Sequence, residues 1–353
     1  MASLLPFRVL FFQSHNTILT MKHKIIIFAT LWLVWLFPQS ASANPDTPEN
    51  QLISLRNQME SAQTIKQQKQ ILEQIESTGT FLGMMYAAEY LQCEPLRKVA
   101  AKTIAHIAVS HPEYNGTNTR ELLHDILPIL KKEDLLAVQE YLAKTSDSEE
   151  GFVSIFNGKD LTGWKGLVEN PIKRSQMEGW KLVDAQKKAD EIMRRDWTVQ
   201  DGCLTYIGKG YENICTARNY KDFEMYVDWR LDPNGKEPDA GIYLRGTPQV
   251  QIWDIARVNV GAQVGSGGLY NNQKHMSKPT EVADNKLGEW NSFYIKMVGD
   301  KVTVLLNGVK VVDNVVMENY WNRNLPIPEC DQIELQAHGS LVNFRNIYIR
   351  EIK

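Results

Sequence analysis

The chain has 353 residues, of which 43 % are hydrophobic, 23 % charged and 9 % aromatic. That is long enough for two cores and too rich in apolar residues for a disordered chain. With 39 Lys and Arg against 42 Asp and Glu, the formal net charge is −3, which excludes the basic footprint of a nucleic-acid binder. Four cysteines without a CxxC spacing, Cys93, Cys203, Cys215 and Cys330, argue against a disulfide scaffold and a structural zinc site.

The amino terminus carries one apolar run, 25–37. Lys22, His23 and Lys24 precede it, and Pro38, Gln39 and the small residues Ala41, Ser42 and Ala43 come after it. The run is shorter than the roughly 20 residues of a spanning helix. A basic stretch, an apolar stretch and a small-x-small site in this order read as a secretory signal. Residues 1–43 are therefore expected to be a signal peptide, with Met21 as an alternative start. The mature chain would begin near Asn44, in the periplasm or secreted, with no membrane insertion.

Residues 44–148 read as an all-α, repeat-like region. Leu52, Leu55, Met59 and Ala62 recur at helical steps, as do Ile65, Ile71, Leu72 and Ile75. Gly79 ends that stretch. Segments 81–92, 96–110, 119–127 and 132–144 complete about five helices, expected to form a unit separate from the carboxy-terminal part of the chain. The histidines here, His106, His111 and His124, are scattered and carry no ligand spacing. Residues 145–150, Thr-Ser-Asp-Ser-Glu-Glu, are a polar linker.

From 149 to 353 the period changes to two. Turn signals such as Asn157-Gly158, Asp201-Gly202, Asn307-Gly308 and His338-Gly339 separate short strands, with one helix over Asp184–Arg194. This predicts a mainly β chain, a β-sandwich or jelly roll behind the helices. Gly208-Lys209-Gly210 reads as a hairpin turn, with Cys203 and Cys215 flanking it.

Alternation along the strands leaves a polar face. Phe223, Met225, Val227, Trp229 and Leu231 are the inward set, so Glu224, Tyr226, Asp228 and Arg230 point outward. The same argument sends Tyr243 and Arg245 outward, then Gln249, Gln251 and Trp253, then Gln332, Glu334, Gln336 and His338. Taken as one face, this mix of amides, carboxylates, guanidinium groups and aromatics suits a sugar: polar groups bind hydroxyls and rings stack on C–H faces. The plainer reading is a solvated face with ion pairs such as Asp228–Arg245. The loop 266–279, Gly- and Asn-rich, adds His275 as a candidate contact.

Several stretches in one order, among them GFVSIFNGKDLTGW (151–164), YKDFEMYVDWRL (220–231), DAGIYLRGTPQVQIWD (239–254) and IELQAHGSLVNFRNIYIREI (333–352), resemble the 3-keto-disaccharide hydrolase family. The resemblance implies a concanavalin-like jelly roll with a concave, sugar-facing sheet. It also implies cleavage of glycosides already oxidised at C3. Where relatives often carry Glu in an EVQI strand, this chain has Gln249, so no carboxylate is available there. A C3 ketone acidifies the C2 hydrogen, and loss of that proton lets the enolate expel the C1 substituent before water adds. His338, Asp228 and Glu224 are the candidates for proton transfer. Arg230, Tyr243, Arg245, Gln251, Trp253, Gln336 and His275 are the candidates for substrate binding. A divalent metal on Glu224, Asp228 and His338 is a further option for stabilising the enolate. The alternative function is a non-catalytic, lectin-like carbohydrate-binding module, whose partner is likewise a glycoside or oligosaccharide. No strand carries the paired glutamates of a retaining glucanase.

Overall fold

The computed structural model describes residues 46–353; the expected signal segment, 1–43, lies outside them. Six helices come first among the described residues: α1 (Pro48–Ser61), α2 (Ile65–Thr78), α3 (Phe81–Ala88), α4 (Arg97–Ser110), α5 (Thr117–Ile126) and α6 (Lys132–Lys144). The stretch read as one helix up to Gly79 divides at Thr64, which starts α2 with a capping box. Thr64 Oγ1 accepts from the Gln67 backbone N–H at 3.2 Å, and Gln67 Oε1 accepts from the Thr64 N–H at 3.1 Å. Gly79, at φ +62°, closes α2 in the left-handed conformation that glycine adopts without strain.

Short strands β1 (Val153–Ser154) and β2 (Trp164–Gly166) come next, then α7 (Pro171–Ser175) and α8 (Gly179–Asp196). The helix expected over Asp184–Arg194 is thus longer by several residues at its start. The remaining strands are β3 (Trp197–Gln200), β4 (Cys203–Tyr206), β5 (Ile214–Thr216), β6 (Phe223–Leu231), β7 (Asp239–Leu244), β8 (Thr247–Trp253), β9 (Asn291–Val298), β10 (Lys301–Leu306), β11 (Val309–Val316), β12 (Glu334–Gln336) and β13 (Val342–Glu351). They make two antiparallel sheets. The eight-stranded one runs β11-β10-β9-β6-β13-β4-β3 with β1 on β13, and the five-stranded one runs β2-β5-β12-β7-β8. Phe223, Met225, Val227 and Trp229 from one sheet and Ile242, Leu244, Val250, Ile252 and Leu335 from the other share the core. This is the mainly β sandwich with amino-terminal helices that the strand pattern predicts.

The stretch around Gly208 is not a hairpin. It carries the chain from β4 in one sheet to β5 in the other, and Cys203 and Cys215 are both free thiols. Gly166 lets α8 lie against β2: a Cβ there would come 2.0 Å from the Ala189 carbonyl oxygen.

The helices do not stand apart from the sandwich. Tyr226, Tyr294 and Tyr348, cross-strand neighbours on β6, β9 and β13, pack into the helical core. Phe81 of α3 lies at the centre of this seam, 1 % exposed. Its ring stacks on Tyr226 at 5.4 Å and meets Tyr348 at 5.3 Å, Phe152 at 4.9 Å and Tyr114 at 5.6 Å. Helices and sandwich therefore form one compact unit rather than the separate unit expected from the change of period. Removing a buried Phe ring costs about 3–5 kcal/mol. In calorimetry, Phe81→Ala is expected to lower one shared unfolding transition; a sandwich transition left at its wild-type temperature, with only a helical one displaced, would contradict the common core.

Candidate functional site

The two sheets have quite different outward faces. On the eight-stranded sheet, the outward residues of β6 lie beneath the helices and are consumed by structure. Glu224 accepts from Tyr294 Oη at 2.7 Å and Arg350 Nε at 2.7 Å, with Lys296 Nζ at 3.4 Å. Burial alone would raise its pKa, but the Tyr294 and Arg350 hydrogen bonds and the Arg350 and Lys296 charges outweigh that and lower it. Asp228, buried, takes Asn346 Nδ2 at 2.7 Å and Arg345 Nε at 3.4 Å, with Arg56 of α1 at 4.0 Å. Its partner is thus Arg345, not Arg245. Arg230 and Arg345 lie over the Trp290 ring at 4.6 and 3.8 Å.

The outward face of the five-stranded sheet carries the other candidates. Its register sets Glu334 opposite Tyr243 and Gln336 opposite Gly241 on one side, and Gly241 opposite Gln251 and Asp239 opposite Trp253 on the other. Two residues beyond Gln336, the same register brings His338 level with Asp239. The result is a grid: His338, Asp239 and Trp253 in one row; Gln336, Gly241 and Gln251 in the next; and Glu334 and Tyr243 in the third, where the β7–β8 register becomes irregular and Gln249 lies near Gly241. A side chain at Gly241 would press on the ends of two amides. A Cβ would sit 2.9 Å from Gln336 Oε1 and 3.1 Å from Gln249 Cδ.

A one-way chain of amides runs across the grid. Gln249 Nε2 donates to Gln251 Oε1, and Gln251 Nε2 donates to Asp239 Oδ1 at 2.7 Å. Asp239 Oδ2 faces Arg257 at 3.7 Å. Burial pushes the Asp239 carboxyl up to about 6, against the opposing pull of His338, the Gln251 bond and Arg257. His338 Nδ1 and Gln336 Oε1 are buried without a hydrogen-bond partner in the chain. The crossing stretch between β4 and β5 holds the His338 segment: Asn213 Oδ1 accepts the Ala337 N–H at 3.1 Å and the Gly210 carbonyl accepts the Gly339 N–H at 2.8 Å. The Tyr211 ring meets the imidazole edge-on at 4.9 Å.

Beside the grid, an open cleft with about 200 Å³ of free volume is bounded by β8 and the long loop after it. Segment 267–270 of that loop bonds to the β8 edge, with Gly267 N–H on the Gln251 carbonyl at 2.8 Å and Gln251 N–H on the Gly268 carbonyl at 3.0 Å. The Glu318 carboxylate fixes the loop's far side by accepting the backbone N–H groups of Gln273, Lys274 and His275 at 3.0, 2.6 and 2.8 Å.

The structure therefore divides the expected residues. His338, Gln336, Tyr243, Gln251 and Trp253 share one face. Glu224, Asp228 and Arg230 lie on the opposite sheet under the helices, because alternation tells inward from outward but not which sheet a strand joins. Arg245 is buried at the turn after β7, where Nη1 donates to the Glu329 carbonyl at 2.9 Å and Nη2 to the Gly299 carbonyl. His275 is held by its backbone and its side chain is exposed. The metal set of Glu224, Asp228 and His338 is not brought together, and among the described residues no group of three His, Cys, Asp or Glu is placed to hold an ion. Sequence reasoning misses Asp239 and Glu334 as functional candidates, although their even spacing from Gly241 and His338 on their strands marks them as members of this face.

Glu334 is fully buried, with Asn213 Nδ2 at 3.4 Å. Burial pushes its carboxyl up to about 8, against Arg174 and Asn213. Between the ordinary value of 4.5 and about 8 the folded chain holds a proton that the unfolded chain releases. This contribution to stability is complete below 4.5 and is lost as pH rises through 8. The melting temperature of Glu334→Gln, which stays neutral, is expected to fall less steeply from pH 5 to pH 8.5 than that of the wild type; parallel curves would contradict the buried neutral acid.

Residues 151–350 match the model of a family described as a 3-keto-alpha-glucoside-1,2-lyase-like domain. A Bacteroides thetaiotaomicron protein named 3-keto-disaccharide hydrolase is 22 % identical over 253 residues, covering 57 % of this chain and 78 % of that one. A Parabacteroides distasonis structure described as a candidate glycosyl hydrolase is 23 % identical, with a TM-score of 0.42 over 57 % of this chain and 94 % of that one. The carbohydrate-binding module CBM66 of Bacillus subtilis is 10 % identical, with a TM-score of 0.31 over 54 % of this chain and 97 % of that one.

Proposed function

As the chain belongs, through residues 151–350, to the 3-keto-alpha-glucoside-1,2-lyase-like family, we propose that it cleaves glycosides oxidised at the sugar's C3, on the outward face of the five-stranded sheet. The observation that carries this reading is the pairing of His338 with Asp239 at one end of a row of amides. Two proton-transfer groups there differ in surroundings, and hydroxyl-binding groups stand beside them. Acid–base catalysis needs groups that change protonation near the working pH. Imidazole does so ordinarily, and burial brings Asp239 toward that range.

In this reading His338 takes the C2 proton. The C–H electrons form the C2–C3 enolate, which expels the C1 oxygen substituent, and Asp239 in its protonated form gives that oxygen its proton. Water then adds across the C1–C2 double bond with the two groups in reversed roles. Gln336 and Tyr243 flank the position of the sugar, and Gln249 and Gln251 hold Asp239 in place. Glu224 is given no part in proton transfer, because both its oxygens are committed to Arg350 and Tyr294, and Asp228 is given none because its Oδ2 is held by Arg345 and Asn346 on the opposite sheet from His338.

A general acid or base contributes about 100- to 10,000-fold. His338→Ala and Asp239→Asn are expected to reduce turnover of a 3-keto-glucoside by that factor, with a primary isotope effect for substrate deuterated at C2 in the wild type. Equal cleavage of oxidised and unoxidised glycosides without an isotope effect would overturn the elimination. Sugar binding with no turnover would establish a lectin-like module instead.

Export is part of the same proposal and rests on the signal pattern before Asn44. Native protein sequenced from its amino terminus is expected to begin near Asn44; an intact end at Met1 or Met21 would contradict it.

A further inference from the structure

The cleft beside β8 differs in chemistry from the grid it adjoins. Its free volume is about 200 Å³, and it shares Gln251 and Trp253 with the grid. Past those two residues its walls are Tyr270, Val260, Val264 and Pro279, over a surface opened by three glycines. Tyr270 meets the Trp253 ring at 5.4 Å with an interplanar angle of 85°. Tyr270 is 50 % exposed and Val260 41 %, so apolar surface stands uncovered directly beside the polar row.

A second hexose in this position would present hydroxyl groups on every edge, and burying those without partners is costly. Among the described residues no carboxylate, guanidinium or imidazole lines the cleft; its polar side chains beyond Gln251 are Gln263, Ser277 and Lys278. An aromatic ring suits the same walls, since it offers a face and an edge to the Trp253 and Tyr270 pair at the 4.5–7 Å spacings that such rings adopt. The sugar row is polar, and the space next to it is aromatic and aliphatic.

We infer that this cleft is the subsite for the aglycone and that it takes an aromatic one, so that the chain favours aryl 3-keto-glucosides over 3-keto-disaccharides. The inference rests on the assignment of the grid as the sugar site. Aryl groups leave more readily than alkyl groups in any mechanism, so the informative quantity is how a variant changes the preference. The wild type, Tyr270→Ser and Val260→Ser are compared on 4-methoxyphenyl and methyl 3-keto-glucoside. The aryl-to-methyl ratio of kcat/KM is expected to fall at least about tenfold in Tyr270→Ser, and to fall also in Val260→Ser. An unchanged ratio in both would overturn the subsite. A wild type that cleaves neither compound would overturn the proposed reaction instead. Calorimetry with 4-methoxyphenyl and methyl glucoside then decides the subsite separately: tighter aryl binding, lost in Tyr270→Ser, supports it, and equal affinities overturn it.

Discussion

The packing of Phe81 onto Tyr226 and Tyr348 is the contact on which the arrangement depends. Through it the helices cover the outward face of the eight-stranded sheet, and burial then dictates the fate of every polar group on that face. A carboxylate taken from water under a helix needs a charged or hydrogen-bonding partner. Glu224 has Arg350 and Lys296, and Asp228 has Arg345 and Arg56. Of these pairs only Asp228–Arg56 runs from sheet to helix, and the others tie β6 to its neighbours β9 and β13 within the sheet. The five-stranded sheet, where His338 Nδ1 and Gln336 Oε1 have no partner in the chain, is the face on which we place the sugar.

The electrostatics of the two faces differ in sign for the same reason. Around Glu224 the hydrogen bonds and cations outweigh burial, and its pKa is lowered. Around Asp239 the nearest guanidinium stands off at 3.7 Å and burial prevails, raising the carboxyl to about 6. A carboxylate locked in its charged form contributes to cohesion, whereas one that changes state near neutrality is suited to proton transfer. The amide chain from Gln249 through Gln251 keeps Asp239 oriented without a full opposing charge, which is why Gln rather than Glu at 249 fits this arrangement.

Much of the fold is legible in the sequence. The change of period near 150 marks the passage from helices to strands, and alternation along 222–231, 249–254 and 332–338 identifies the inward residues correctly. Strand order is not legible in the same way. Residues 223–231 and 239–244 succeed one another in the chain, yet they belong to opposite sheets, so an outward Asp228 and an outward Gln251 face in opposite directions. The shared core is hidden similarly, because Tyr226 reads as a member of a polar face until the helices that cover it and its neighbours Tyr294 and Tyr348 are in place. Asp239 lies at the first position of its strand, where a short periodicity carries little weight, and its raised pKa comes from burial in the folded chain, which outweighs the opposing pull of His338, Gln251 and Arg257.

The central claim is that ligand binds the five-stranded sheet and not the face bearing Glu224 and Asp228. Backbone hydrogen–deuterium exchange with and without a saturating 3-keto-glucoside tests it directly, using His338→Ala if turnover is too fast. Protection confined to 239–253 and 334–339 and the adjoining loop is the predicted result; protection concentrated in 223–231 and 291–298, with none on the five-stranded sheet, would contradict it.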